Sequence, residues 1–135
     1  MRVLIDTNVI LDVLYDREPF AADAVKVFKF CELKQIDGYI SALSIPNIVY
    51  VMRKELDRDK IKQMQKTITN LFRICELKES DLIKAAGADI DDYEDAVQCM
   101  CAARIKADFI VTRNVKDYKN SKIPAVKPAE LLDRL

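Results

Sequence analysis

Val3-Leu4-Ile5-Asp6-Thr7-Asn8 decides how this chain is read. An apolar run ends abruptly in three polar residues. A run so short and so apolar suits a strand buried on both faces, and the Asp-Thr-Asn that stops it is turn and cap chemistry. The same shape returns near the other end of the chain, where Phe109-Ile110-Val111 runs into Thr112-Arg113-Asn114. Tyr39-Ile40 and Ala125-Val126 read as shorter strands, and Arg73-Ile74-Cys75-Glu76-Leu77 alternates as a strand does.

Helical patterns fill the gaps. Asn8 is placed to cap a helix from Val9 to Tyr15. Pro19 is placed to open a second, with Phe20, Ala24, Val27, Phe28 and Cys31 at helical spacing until Gly38 breaks the pattern. Ser44 and Pro46 start a third that runs to about Leu56. Lys60 to Leu71 carries Ile61, Met64, Ile68 and Leu71 on one stripe. Leu82 to Ala86 is short and closes near Gly87. Asp92 to Lys106 is the cleanest helix, and Pro128 opens a terminal one through Leu131 and Leu132. Strands that alternate with helices call for a mostly parallel sheet covered on both faces. The expected fold is therefore a three-layer α/β/α domain with four or five strands. A length of 135 residues suits one domain, 1–135.

Composition removes several classes of function. Histidine is absent, so histidine base catalysis and histidine-ligated zinc are excluded. With only two glycines there is no Gly-rich phosphate loop. The 22 basic and 22 acidic residues balance, unlike a protein that coats nucleic acid by charge alone. Cys31, Cys75, Cys99 and Cys101 fit no zinc or redox spacing and read as free thiols in the core. Asp6 interrupts the first apolar run too early for a signal peptide, and no apolar run reaches membrane-spanning length. The cytoplasm is the expected location.

In open parallel α/β sheets, ligands sit beyond the carboxyl ends of the strands. Asp6 follows the first strand directly. Asn114 and Asp117 follow the Phe109–Val111 strand, and Asp92 and Asp95 open the long helix before it. Three acidic elements can therefore meet at one end of the sheet. Clustered carboxylates raise one another's pKa unless cations balance them, and an all-oxygen set suits Mg2+ or Mn2+. Such ions bind phosphate oxygens and acidify water, which fits phosphodiester hydrolysis without a covalent nucleophile. Each acid alone also fits an ordinary structural use: Asp6 as a turn residue, Asp92 as a helix cap, Asp95 as a first-turn acid facing the helix dipole, and Asn114 and Asp117 as turn formers. Arg113 and Lys116 flank the proposed site and are candidates for phosphate contacts. Glu94 falls on another side of the helix from Asp95 and is expected in solvent.

Three motifs carry a resemblance. Asp6-Thr7-Asn8, Asp92-Tyr93-Glu94-Asp95-Ala96 and Thr112-Arg113-Asn114-Val115-Lys116-Asp117-Tyr118 resemble, in order and separation, the DTN, DxEDA and TRNxxDF motifs of the PIN-domain family, which includes the VapC-type toxin ribonucleases. The resemblance implies a metal-dependent endoribonuclease, often the toxin of a toxin–antitoxin pair. Carried over residue by residue, Asp6 and Asp95 become the principal metal ligands, Asp117 and Asn114 complete the site, and Asp92 supports it. Many family members place a glutamate early in the helix after the second strand. Asn47 is the candidate for that position here and would be a weaker, neutral ligand. The expected partners are RNA, an antitoxin protein and a second copy of the chain. The rival readings are a PIN-like module that binds RNA or protein without cleaving, and a phospho-receiver domain. The receiver would need an aspartate ending a middle strand and a lysine ending a late one. Lys78 and Thr112-Arg113 stand there instead.

Overall fold

The structure, a computed structural model, describes all 135 residues. Five strands, β1 (Arg2–Ile5), β2 (Asp37–Ser41), β3 (Arg73–Cys75), β4 (Phe109–Val111) and β5 (Ala125–Val126), form one sheet in the order β3-β2-β1-β4-β5. All four pairings are parallel, with Leu4 facing Tyr39 on one side and Ile110 on the other. The helices are α1 (Thr7–Leu14), α2 (Ala21–Glu32), α3 (Ser44–Met52), α4 (Arg58–Leu71), α5 (Glu79–Ala86), α6 (Tyr93–Arg104) and α7 (Pro128–Leu132). This is the expected three-layer α/β/α fold. No helix is long and apolar enough to cross a membrane.

Period-two alternation along the strands builds two cores. Val3 and Ile5 point to one face, with Val9, Ile10, Val27, Ile48, Ile68 and Leu131; Leu4 and Ile110 point to the other, with Ala85, Ala96, Val97 and Ala102. Leu4, Ile5 and Ile110 are fully buried, and burying such a side chain stabilises the fold by roughly 1.5–3 kcal/mol. The four cysteines are free and buried, as expected.

Several boundaries differ from the sequence reading, each for a local reason. Asp6, not Asn8, precedes α1: its N–H still completes the sheet with Val111 O at 2.9 Å, and its carbonyl accepts from Val9 at 3.1 Å. Its side chain makes no capping bond and is left over for other use. Pro19 lies in a turn before α2 rather than at its first position. Gly38 does not stop the chain but sits inside β2, where a Cβ would lie 2.7 Å from Cys31 Sγ. Close packing of α2 on the sheet requires the glycine there. Helix α3 ends at Met52, short of Leu56, because Asp57 already caps α4 through Lys60 N–H at 2.9 Å. Helix α5 begins at Glu79, earlier than expected, since Asp81 accepts from Lys78 N–H at 3.0 Å. Strand β3 stops at Cys75, and α6 stops at Arg104, where the left-handed Lys106 (φ 56°) closes it and Ala107 N–H bonds back to Ala102 O at 3.0 Å.

The strand order fixes where a ligand goes. From β1 the chain winds outward to β2 and β3, then returns to the other side of β1 with β4 and β5. The direction of winding therefore reverses between β1 and β4, and the crevice outside their carboxyl ends is the place such folds use for binding.

Candidate active site at the reversal of the sheet

Asp6 leaves β1 into this crevice and Thr112 leaves β4 beside it. Thr112 Oγ1 donates to Asp6 Oδ2 at 2.8 Å, and Tyr118 Oη lies 3.1 Å from the same oxygen and 3.2 Å from Asp95 Oδ1. The Tyr118 hydroxyl thus stands between two carboxylates that reach the crevice from β1 and α6. Asp92 caps α6, accepting from Asp95 N–H at 3.0 Å, so the ordinary structural use of Asp92 is real. Asn114 N–H donates to Thr112 Oγ1 at 3.1 Å, which tightens the turn after β4. Asp117 follows in a short 3-10 turn, Val115–Tyr118, and is exposed.

Asp6, Asp92, Asp95, Asn114, Asp117 and Asn47 line one cleft of about 460 Å3, so the structure brings all of these sequence candidates together. A second cleft of about 480 Å3 adjoins it, sharing Asp92, Asp95 and Asp117 and adding Lys116 and Lys119. Arg113 is placed elsewhere. Its Nε is 2.7 Å from Asp12 Oδ2 without a well-aligned hydrogen bond, and its guanidinium lies 4.3 Å from the Phe20 ring centre. It braces the turn after β4 against α1 rather than reaching toward a phosphate. Lys116 is exposed and stays beside the acids.

The electrostatics are those of an uncompensated site. None of Asp6, Asp92, Asp95 or Asp117 pairs with lysine or arginine; the ion pairs of the chain involve other acids. Burial raises the Asp6 carboxyl above its ordinary range, the bonds from Thr112 and Tyr118 offset part of that, and the charge of Asp117 adds to it. Asp95 is pushed up to about 6, first by burial and then by the charges of Asp6, Asp92 and Asp117. Burial, then the charges of Asp6 and Asp95, raises Tyr118, so its hydroxyl keeps its proton.

Sequence reasoning missed three contributors. Tyr118 was visible only as the last residue of a motif, although a hydroxyl one position beyond Asp117 was a readable sign. Gln98 lies one turn below Asp95 and carries no motif; its Nε2 donates to Ser44 Oγ at 3.3 Å, and Ser44 in turn bonds Thr7 Oγ1 at 2.7 Å. Glu94 is exposed as expected, yet it lines the cleft and accepts from Asn47 Nδ2 at 3.4 Å.

The donor set fits a hard divalent cation. It consists of oxygens alone, carries unbalanced negative charge, and has two buried acceptors in the same cleft, Asn8 Oδ1 and Gln98 Oε1, without hydrogen-bond partners. No three acidic side chains stand close enough to cage an ion as they are.

A family model described as PIN domain matches residues 2–116. No curated protein matches the chain. Among solved structures, FitAcB from Neisseria gonorrhoeae superposes with a TM-score of 0.73 at 21% identity, covering 94% of this chain and 98% of that one. DNA-bound VapBC from Salmonella typhimurium gives 0.70 at 14%, covering 95% and 98%. A toxin–antitoxin complex from Klebsiella pneumoniae gives 0.68 at 20%, covering 93% and 97%. At these identities the likeness is one of fold, and it agrees with the sheet order and the crevice described above. The family match covers most of the chain and includes Asp6, Asp92, Asp95 and Asn114: the chain belongs to the PIN-domain family.

Proposed function

We propose that this protein is a Mg2+- or Mn2+-dependent endoribonuclease that hydrolyses RNA phosphodiester bonds, and that it is the toxin of a toxin–antitoxin pair. The observation that carries the reading is the gathering of Asp6, Asp92, Asp95 and Asp117 around one cleft with no basic side chain paired to any of them. A fold that leaves carboxylates at raised pKa stores a penalty that a cation relieves. The toxin assignment is supported by fold-level likeness to toxin–antitoxin complexes, and an antitoxin protein is the partner it implies.

Asp6 and Asp95 are the direct ligands in this reading, with Asp117 and Asn114 completing the set and Asp92 supporting it. A bound divalent ion would supply Lewis acidity to the phosphodiester and to the attacking water. Thr112 and Tyr118 hold Asp6 in place by their hydroxyls, and Tyr118 sets its spacing from Asp95. Lys116 neutralises backbone phosphate beside the cleaved bond, from the adjoining cleft. Loss of the Asp95 charge removes a ligand and leaves the fold intact.

One observation favours a second reading, an RNA- or protein-binding module of weak or no catalytic activity: the acids form no finished cage, and Asn47, which lines the cleft, adds a neutral amide rather than a further carboxylate. Manganese titration of RNA cleavage separates the two. The nuclease reading expects metal-dependent cleavage, abolished by Asp95→Asn and by chelation. Intact RNA at saturating manganese with folded wild-type protein supports the binding module.

A further inference from the structure

Four cysteines lie in the core, and two of them meet. Cys75 ends β3, and Cys101 sits on α6, 26 positions away, with no motif joining them. Their thiols are within hydrogen-bonding reach of each other, and Cys75 Sγ also lies 3.8 Å from the Cys101 carbonyl oxygen. Arg104 Nη2 donates to Cys75 Sγ at 3.4 Å, while Asp81 Oδ2 stands 3.9 Å from Cys101 Sγ. One sulfur therefore faces a fixed cation and the other a carboxylate. The asymmetry acts on their protons. The bond from Cys101 and the charge of Arg104 outweigh burial and hold the Cys75 thiol below its ordinary range. The bond to Cys75, burial and the Asp81 charge push Cys101 above its own. Burial pushes Cys31 up to about 12 and raises Cys99 as well, with carboxylates rather than a cation adding to both.

We propose that Cys75 and Cys101 form a site of reversible oxidation by hydrogen peroxide, with Cys75 the thiol that reacts first and Cys101 the one that closes a disulfide on it; the proposal is independent of the nuclease reading. The Cys75 sulfur attacks one peroxide oxygen. The S–O bond forms as O–O breaks, and the released hydroxide takes the Cys75 proton and leaves as water. The Cys101 sulfur then attacks the sulfenic sulfur. The S–S bond forms as S–O breaks, and the second hydroxide leaves as water with the Cys101 proton. Two thiols lose two electrons in all, and one peroxide is reduced to two waters. Thiolate character decides which sulfur reacts first, and a resolving thiol already in reach turns the sulfenic acid into a disulfide before it oxidises further. Both sulfurs are buried, so the oxidant is a small one. Its way in is beside β3, an edge strand of three residues that leaves Ile74 43% exposed. The disulfide staples that edge strand to α6.

The test is peroxide oxidation of the folded protein, followed by mass spectrometry of its cysteine peptides, for wild type, Cys101→Ala and Cys75→Ser. Wild type is expected to form the Cys75–Cys101 disulfide about tenfold faster than Cys31 or Cys99 is oxidised, and dithiothreitol returns both thiols. Cys101→Ala stops at the Cys75 sulfenic acid, trapped with dimedone, and Cys75→Ser leaves Cys101 reduced at the same exposure. Equal oxidation rates at all four cysteines overturn the proposal, because they mean oxidation through global unfolding. A wild-type protein whose main product is a disulfide between two chains, or a Cys75 sulfinic acid, overturns it as well. Circular dichroism checks that each variant is folded; where one is not, the ratio of the wild-type rates alone decides.

Discussion

The two ends of α6 treat negative charge in opposite ways. At its carboxyl end Arg104 grips Asp81, with Nε 3.1 Å from both carboxylate oxygens and Nη2 2.9 Å from Oδ2. Burial alone would raise Asp81, but Arg104 and the Lys78 N–H outweigh it and hold the carboxyl below its ordinary range. Arg104 also donates to the Glu76 carbonyl, so the same side chain ties α6 to the end of β3. At the amino end, Asp92, Asp95 and nearby Asp6 have no cation, and burial with mutual repulsion pushes Asp95 up to about 6. Both regions hold acids close to an end of α6; one neutralises them within the chain and the other does not. Charge that the fold balances itself belongs to its architecture, and charge it leaves unbalanced is available to a ligand.

Substitutions should separate the two regions. Asp95→Asn or Asp6→Asn should lower metal-dependent cleavage more than about 100-fold, beyond the usual effect of losing a partner behind a ligand, with the circular dichroism spectrum unchanged. Asp81→Ala should do the reverse. Removing one member of a buried pair costs about 3 kcal/mol, so urea should unfold it far earlier while activity per folded molecule holds. Equal stability losses at both ends would erase the contrast. Tyr118→Phe removes the hydroxyl between Asp6 and Asp95 without removing the ring; manganese affinity should fall about tenfold in a calorimetric titration.

The smallest effect concerns pH without metal. An unfolded aspartate titrates near 3.9, whereas native Asp95 titrates at about 6. Between those values the native state holds a proton that the unfolded chain releases, so stability falls as pH rises through the window and stays lower above it. Asp95→Asn should therefore melt a few degrees above wild type at pH 7 and level with it near pH 4. Asp81, whose pKa is lowered, contributes in the opposite sense: its stabilisation is present near neutrality and is lost as pH falls through its native pKa.

Much of this was legible in the sequence because it rests on local pattern. Val3–Ile5 and Phe109–Val111 announced buried strands, and the polar residues stopping them announced the crevice. What was not legible depends on partners distant in sequence. Gly38 reads as a breaker until Cys31 is seen packed on it. Arg113 reads as a phosphate contact until Asp12, one of the most buried acids of the chain, is found beside it. Arg104 and Asp81 lie 23 positions apart on separate helices, with no motif joining them. At the site, aspartates were readable by type and spacing, while Tyr118 and Gln98 needed the turn after β4 and α6 to be placed in space.

Calorimetric titration of Mn2+ into wild type, Asp6→Asn, Asp95→Asn and Asp81→Asn at pH 7 tests the central claim directly. The account predicts saturable binding by wild type, its loss in Asp6→Asn and Asp95→Asn, and wild-type affinity in whatever fraction of Asp81→Asn is folded. Absence of binding by wild type, or unchanged affinity in Asp95→Asn, would contradict it.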